Sequence, residues 1–160
     1  PSTVGATYRS GTHYLWLSAV PEAKTVCSAA GWDRGDLALR LTQLFGITPG
    51  YKPQAFVEMW VKPEQLFRPA ADNEITDATA GLIMRDTTEA WYRRWFNELR
   101  SKQYFQSSTP ANNAYPWTQL GYTYDWGSPT HRGVSEFVMK QNADGIVNAI
   151  TPFQQYCGRS

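Results

Sequence analysis

Two histidines and a few carboxylates are the residues of this chain best suited to acid–base chemistry. His131 lies in the loop GSPTHRG, with Arg132 beside it and Glu136 five residues further on. An imidazole with a pKa of about 6.5 exchanges protons near neutral pH, so His131 with Glu136 or Asp125 could serve as acid and base. The sequence does not show whether His13, near the other end of the chain, meets His131.

Three carboxylates are set in strand patterns that are otherwise rich in apolar residues: Asp125, Glu136 and Glu58. Paired carboxylates hydrolyse glycosidic bonds when they lie about 5 Å or about 6.5 to 9.5 Å apart. More often, such residues face solvent on the open side of an antiparallel sheet. The glycosidase interpretation gains support if two of the three share a face with an aromatic residue, which spacing alone does not decide.

The segment YPWTQLGYTYDWG (115–127) is the most distinctive in the chain. Strand alternation places three aromatic residues on one face: Tyr122, Tyr124 and Trp126. It places two polar residues on the other face: Thr123 and Asp125. We expect the aromatic face to cover the core, as strand aromatics usually do. The alternative is an aromatic platform beside Asp125 that stacks on a sugar or a base, with these binding residues: Tyr124, Trp126 and Arg132.

The remaining motifs do not favour a nucleophile, a metal or a cofactor. GVSEF lacks the second glycine of a nucleophile elbow and continues as a strand, so Ser135 is not expected to attack a substrate. The acidic stretch 66–77 lacks the glycine and the closing glutamate of a calcium loop, which leaves weak calcium binding as a minor alternative. Arg34-Gly35-Asp36 spells an integrin-recognition tripeptide, but Asp36 is better explained as a helix cap. We therefore expect neither metal nor cofactor.

Composition indicates one globular domain over residues 1–160. Hydrophobic residues make up 42% of the chain, which is enough to build a core. Nucleic-acid binding usually requires a basic excess, whereas the formal charge here is only +1, so a protein or glycan partner is expected over nucleic acid. No apolar run approaches the ~18 residues that cross a bilayer, so no membrane span is predicted. The oligomeric state is left open.

The chain has two cysteines, Cys27 and Cys157. They could be two buried thiols, which behave as small apolar side chains. We expect a disulfide instead, because an even count in a small aromatic-rich domain is typical of oxidising compartments. This predicts a secreted or periplasmic protein.

Hydrophobic periodicity predicts an α+β fold: an antiparallel or mixed sheet with two main helices packed on one face. The predicted helices cover 35–45, ending at Gly46, and 87–103, capped by Asp86; a short one covers 63–67. In the second helix we expect Trp91, Trp95 and Leu99 to be buried and Arg93, Arg94 and Glu98 to be exposed. The predicted strands are 13–20, 56–61, 119–126, 134–140 and 145–150, the last two joined as a hairpin with positive φ at Gly145.

The favoured function is a binding or interaction module, with an aromatic-rich site near residues 125–136. The alternative is a small secreted hydrolase, nuclease-like or glycosidase-like, that uses His131 with Glu136 or Asp125. A purely structural subunit is the third hypothesis. Convergence of His131, a carboxylate and an arginine in one cleft would favour the enzyme.

Overall fold

The computed structural model describes residues 3–32, 37–51, 54–105 and 115–157. Over these residues the α-helices are α1 (Glu22–Ala30), α2 (Leu37–Leu44) and α3 (Ala90–Tyr104). The first strands are β1 (Thr7–Arg9), β2 (Leu15–Leu17), β3 (Ala55–Val61) and β4 (Leu66–Phe67). The later strands are β5 (Tyr122–Tyr124), β6 (Arg132–Ser135), β7 (Phe137–Met139) and β8 (Asp144–Pro152). Short 3-10 helices cover Pro63–Gln65 and Phe153–Gln155. None of the described helices is long and apolar enough to cross a membrane.

The strands form three small antiparallel sheets, ordered β1-β8-β3, β2-β7-β4 and β5-β6. The α+β class is confirmed, with α1 as a helix that the periodicity did not predict. The predicted hairpin between the last two strands is wrong, since β7 and β8 pair in different sheets. The positive φ lies at Asn142 and not at Gly145. Gly145 serves another purpose, because a Cβ there would lie 3.0 Å from Met59 Sδ of the paired strand.

Helix α2 follows the predicted pattern. Leu37, Leu41 and Leu44 are buried at helical spacing, on the face that meets the interior. Gly46 has a φ of 63°, its N–H donates to Gln43 O, and the next N–H closes the helix in a Schellman arrangement. The proposed Asp36 cap and the Arg34-Gly35-Asp36 tripeptide lie outside the described residues.

Helix α3 begins later than predicted. Its N-cap is Glu89, so the expected Asp86 cap is wrong. The most buried positions are Tyr92 and Phe96, while the three residues predicted to be buried are only half-buried: Trp91, Trp95 and Leu99. The buried face of α3 therefore differs from the predicted one. The Tyr92 hydroxyl lies within hydrogen-bonding distance of Arg68 O and Ala70 O, which holds Tyr92 inside the protein.

The expected exposure on the opposite side of α3 holds for Arg94 and Glu98. Arg93 departs from it and is half-buried. Its guanidinium donates to the carbonyl oxygens of Thr88 and Arg85, which draws the side chain against the preceding turn.

Two hydrophobic clusters form the interior. The α1–α2 cluster is built on these buried residues: Ala23, Cys27, Leu37, Leu41, Leu44, Val134, Phe153 and Tyr156. The aromatic cluster packs α3 against β4 and β7 through these: Phe67, Tyr92, Phe96, Trp117 and Val138. The predicted disulfide is present between Cys27 and Cys157, whose Cα atoms lie 5.6 Å apart, and it ties α1 to the last described residues.

Candidate functional site

A cavity of about 490 Å³ lies where the two clusters meet. The α1–α2 cluster and its packed neighbours contribute four lining residues: Ala23, Phe45, Phe56 and Tyr156. The aromatic side contributes Leu99 and Trp117, with Trp16 set edge-on against Trp117. The volume falls in the range of small-molecule sites, about 300 to 1,000 Å³.

Glu136 is the most unusual group in the cavity wall. It is the single residue between β6 and β7, and Val134 and Val138, two positions away on either side, are fully buried. Only 9% of the residue is exposed, and no donor among the described residues reaches its Oε2. Burial raises the pKa of Glu136 to about 8, so the carboxyl is mostly neutral at pH 7. A mostly neutral carboxyl group, with one oxygen that no described donor reaches, therefore lies in the wall of the cavity.

Glu58 lines the same cavity from β3, but its charge is compensated. Lys24 of α1 forms an ion pair with Glu58 Oε1, a charge contact without the angles of a hydrogen bond. The same ammonium lies 5.0 Å from the centre of the Tyr156 ring. Burial, with a smaller contribution from Glu58, raises the pKa of Tyr156 to about 12. On this side of the cavity the charges of Lys24 and Glu58 therefore compensate each other.

Asp125 lies elsewhere and is saturated. The residue is 2% exposed, and both its carboxylate oxygens accept from the guanidinium of Arg40 on α2, with the Nη1 contact at 2.7 Å. Gly127 N–H also donates to Asp125 Oδ1 at 3.0 Å. The Arg40 guanidinium in turn lies 4.5 Å from the centre of the Trp32 ring. The group joins α2 to the β5–β6 hairpin, and Asp125 is not among the residues that line the cavity.

His131 and Arg132 lie on the outer side of that hairpin, and both are exposed. The imidazole stacks on Tyr124 with ring centres 4.9 Å apart, and its Nδ1 lies 3.3 Å from Asp125 O. The Arg132 guanidinium lies 5.7 Å from the centre of the Tyr122 ring. No hydrogen bond or ring contact found among the described residues joins His13 to His131.

The two faces of β5 are the reverse of the expected arrangement. Thr123 and Asp125 are buried, whereas the alternate aromatic positions are half-buried on the outer side: Tyr122, Tyr124 and Trp126. Thr123 turns inward because its hydroxyl donates to Leu44 O and accepts from Val134 N–H. The Trp126 indole N–H donates to Ile47 O at 3.1 Å, which holds it beside the end of α2.

The structure therefore divides the residues named from the sequence between two places. At the hairpin loop His131 lies near the backbone oxygen of Asp125, whose carboxylate is held by Arg40, and Glu136 lines the cavity with Glu58. Sequence reasoning did not find the cavity, since its walls come from distant segments. One signal for Glu136 was present, because positions 134, 136 and 138 alternate onto one face and two of them are valines. In the part of the chain that is described, no three His, Cys, Asp or Glu side chains are placed to hold a metal ion.

Comparison of the chain with protein-family models, with curated proteins and with solved structures found no match. Function is therefore inferred from the residues of this chain.

Proposed function

We propose that this protein is a binding module that holds a small, largely apolar molecule in the cavity, with Glu136 as its main polar contact. The observation that carries the proposal is the unpartnered Oε2 of Glu136, in a residue that is nine-tenths buried. A buried polar group without a partner is costly in a native protein, and such groups often have a functional reason. Oε2 has almost no solvent-accessible surface as the side chain lies, so a ligand removes that cost by hydrogen-bonding to the carboxyl group once it turns toward the cavity.

Cavity shape and polarity favour a small molecule over the protein or glycan partner expected from the sequence. A protein partner needs a broad accessible patch, whereas these walls enclose a concave space. A sugar needs many hydrogen-bonding groups, and the walls are mainly aromatic and aliphatic: Trp16, Phe45, Phe56, Leu99 and Trp117. An apolar body with one polar group fits this set.

The Cys27–Cys157 disulfide supports a working place outside the reducing cytosol. Disulfides persist in secreted and periplasmic proteins and are rare where thiols are kept reduced. We propose that the ligand is met in such a compartment.

Blocking the cavity mouth tests this function. Ala19 is exposed yet lines the cavity, so Ala19→Trp places a ring across the opening with little strain on the core. Binding of naphthylethanol, an apolar alcohol, is measured by calorimetry and ligand-observed NMR. We expect Ala19→Trp to weaken it by about tenfold or more. The matched control, Ala78→Trp, sits on an exposed loop away from the cavity and should bind as the wild type does.

Equal affinity of both variants and the wild type would show that the alcohol binds outside the cavity. Absence of wild-type binding both by the alcohol and by the corresponding amine, naphthylethylamine, would contradict the proposed function directly.

One observation favours a second candidate, the glycosidase-like hydrolase: Glu136 and Glu58 share a cavity with aromatic walls. A neutral Glu136 would act as the acid and Glu58 as the base or nucleophile. We rank it second because Lys24 already engages Glu58. Release of nitrophenol from a panel of aryl glycosides tests it. Turnover that is lost in both Glu136→Gln and Glu58→Gln would establish the enzyme, and no turnover by the wild type would exclude it for these substrates.

A further inference from the structure

We infer that the cavity ligand is an organic cation: an amine or quaternary ammonium group carried on an aromatic or aliphatic body. The inference rests on the proposed binding function and names its ligand class. It follows from the aromatic walls, from the signs of the charges around the cavity, and from the carboxyl group of Glu136, which pairs with no cation among the described residues.

The aromatic walls favour positive charge. Six aromatic side chains line the space: Trp16, Phe45, Phe56, Tyr115, Trp117 and Tyr156. The face of an aromatic ring carries negative electrostatic potential, and cations within about 6 Å of a ring centre are attracted to it. Lys24 already uses this attraction at Tyr156, with its ammonium 5.0 Å from the ring centre. Phe56 is itself stacked on Phe153 and on Tyr156, so a ligand ammonium would be met mainly by Trp16 and Trp117.

The charges point to the same class. The ionisable side chains that line the cavity are those of Glu58, Glu136, Tyr115 and Tyr156, and no arginine, lysine or histidine is among the lining residues that the structure describes. From α1, behind this wall, Lys24 pairs with Glu58 and Glu22 accepts from Ser135. An anionic ligand would meet a second carboxyl group with no cation left free to pair with it. A cationic ligand would meet the free carboxyl of Glu136.

Binding of a cation should release a proton. The carboxylic acid of Glu136 gives up its proton to water, and the resulting carboxylate pairs with the ligand ammonium. Of the surrounding groups, Glu58 is held by Lys24, and burial raises the pKa of Tyr156 to about 12, so neither competes for this role below pH 8. Affinity for a cation should therefore rise with pH until free Glu136 is itself ionised. Affinity for a neutral ligand should not rise with pH.

Calorimetry with two matched probes tests the inference. The probes are naphthylethylamine, which is protonated near neutral pH, and its neutral analogue naphthylethanol. At pH 7 we expect the amine to bind about tenfold tighter or more, with affinity rising by nearly tenfold from pH 6 to pH 7. Titrations in buffers of different ionisation enthalpy should show nearly one proton released per amine bound at pH 6, and none for the alcohol.

Glu136→Gln should remove the preference for the amine and its proton release while keeping the affinity for the alcohol. Glu64→Gln changes an exposed carboxylate outside the cavity and should match the wild type in every titration. The melting temperature of each variant shows whether it is folded before it is titrated.

The outcomes separate the two proposals. If neither probe binds, the proposed function fails and the inference fails with it. If the alcohol binds as tightly as the amine, or if the amine binds without proton release and regardless of Glu136→Gln, the binding function stands and the cationic ligand class is overturned.

Discussion

Asp125 and Glu136 are two carboxyl groups eleven residues apart, and both are buried, at 2% and 9% exposure. Asp125 accepts from both terminal nitrogens of Arg40 and from a backbone N–H. Glu136 has a side-chain oxygen with no donor among the described residues, beside a cavity. Burial alone therefore does not mark a functional carboxyl. What separates the two is whether the protein itself supplies the partner.

The packing around each group explains the difference. Helix α2 and the β5–β6 hairpin approach so closely that a Cβ at Gly133 would lie 2.5 Å from Leu44 O, and this closeness brings Arg40 onto Asp125. Glu136 sits where the α1–α2 cluster meets the aromatic cluster, and there the walls stand apart. The close approach of α2 to the hairpin produces the Arg40–Asp125 ion pair. The space beside Glu136 leaves its carboxyl group available to a ligand.

The largest expected effect is on stability, through the Arg40–Asp125 ion pair. Asp125→Ala should lower the free energy of unfolding by about 3 to 4 kcal/mol, because it leaves the guanidinium of Arg40 without its carboxylate. The Arg40 side chain is 21% exposed, so water recovers part of the loss. Urea unfolding measures the change, with Asp86→Ala, an exposed carboxylate, as the control expected to change stability by less than about 0.5 kcal/mol. A loss below about 1 kcal/mol for Asp125→Ala would remove the contrast between the two carboxyls.

The next effect concerns Glu136 beside the cavity and depends on pH. Burial raises the pKa of Glu136 from 4.5 to about 8, so between these values the folded protein holds a proton that the unfolded chain has lost. The stability contributed by this group is fully present below pH 4.5 and is lost as pH rises toward 8. Relative to Glu136→Gln, the wild type should lose about 2 to 4 kcal/mol between pH 4.5 and pH 8.

Urea unfolding of both proteins across this pH range measures the difference. Parallel pH profiles for the wild type and Glu136→Gln would mean that Glu136 ionises normally in the folded protein. Glu136 would then behave as an ordinary carboxyl group, and its contrast with Asp125 would fail.

The smallest effect is expected at the hairpin surface. His131 is exposed and contacts Tyr124 by stacking, so His131→Ala should cost less than about 1 kcal/mol and leave cavity binding unchanged. Urea unfolding and the naphthylethanol titration check both parts. If the protein proves to be an enzyme and this variant lowers kcat by about 10² or more, the site lies at residues 125–136, as the sequence hypothesis holds.

The α+β class, β3 and α2 were predictable because local patterns determine them. Leu37, Leu41 and Leu44 at helical spacing, followed by a glycine that adopts positive φ, define a helix and its end without reference to other segments. The hairpin of the last two strands was not predictable in this way. Pairing of β7 and β8 with other strands depends on which segments come together, and turn residues between them carry no such information.

Single residues of the site show the same difference between what local patterns determine and what long-range packing determines. The sequence by itself determined that Cys27 and Cys157 were the two cysteines available for a disulfide, and that Glu136 lies in an otherwise apolar segment predicted to be a strand. Only the tertiary structure decided that Arg40 reaches Asp125 across 85 positions of the chain, and that no cation of the described segments reaches Glu136. The physical reason is that alternation along a strand sets which way a side chain points. Whether it then meets a partner or a cavity depends on the long-range packing of two clusters.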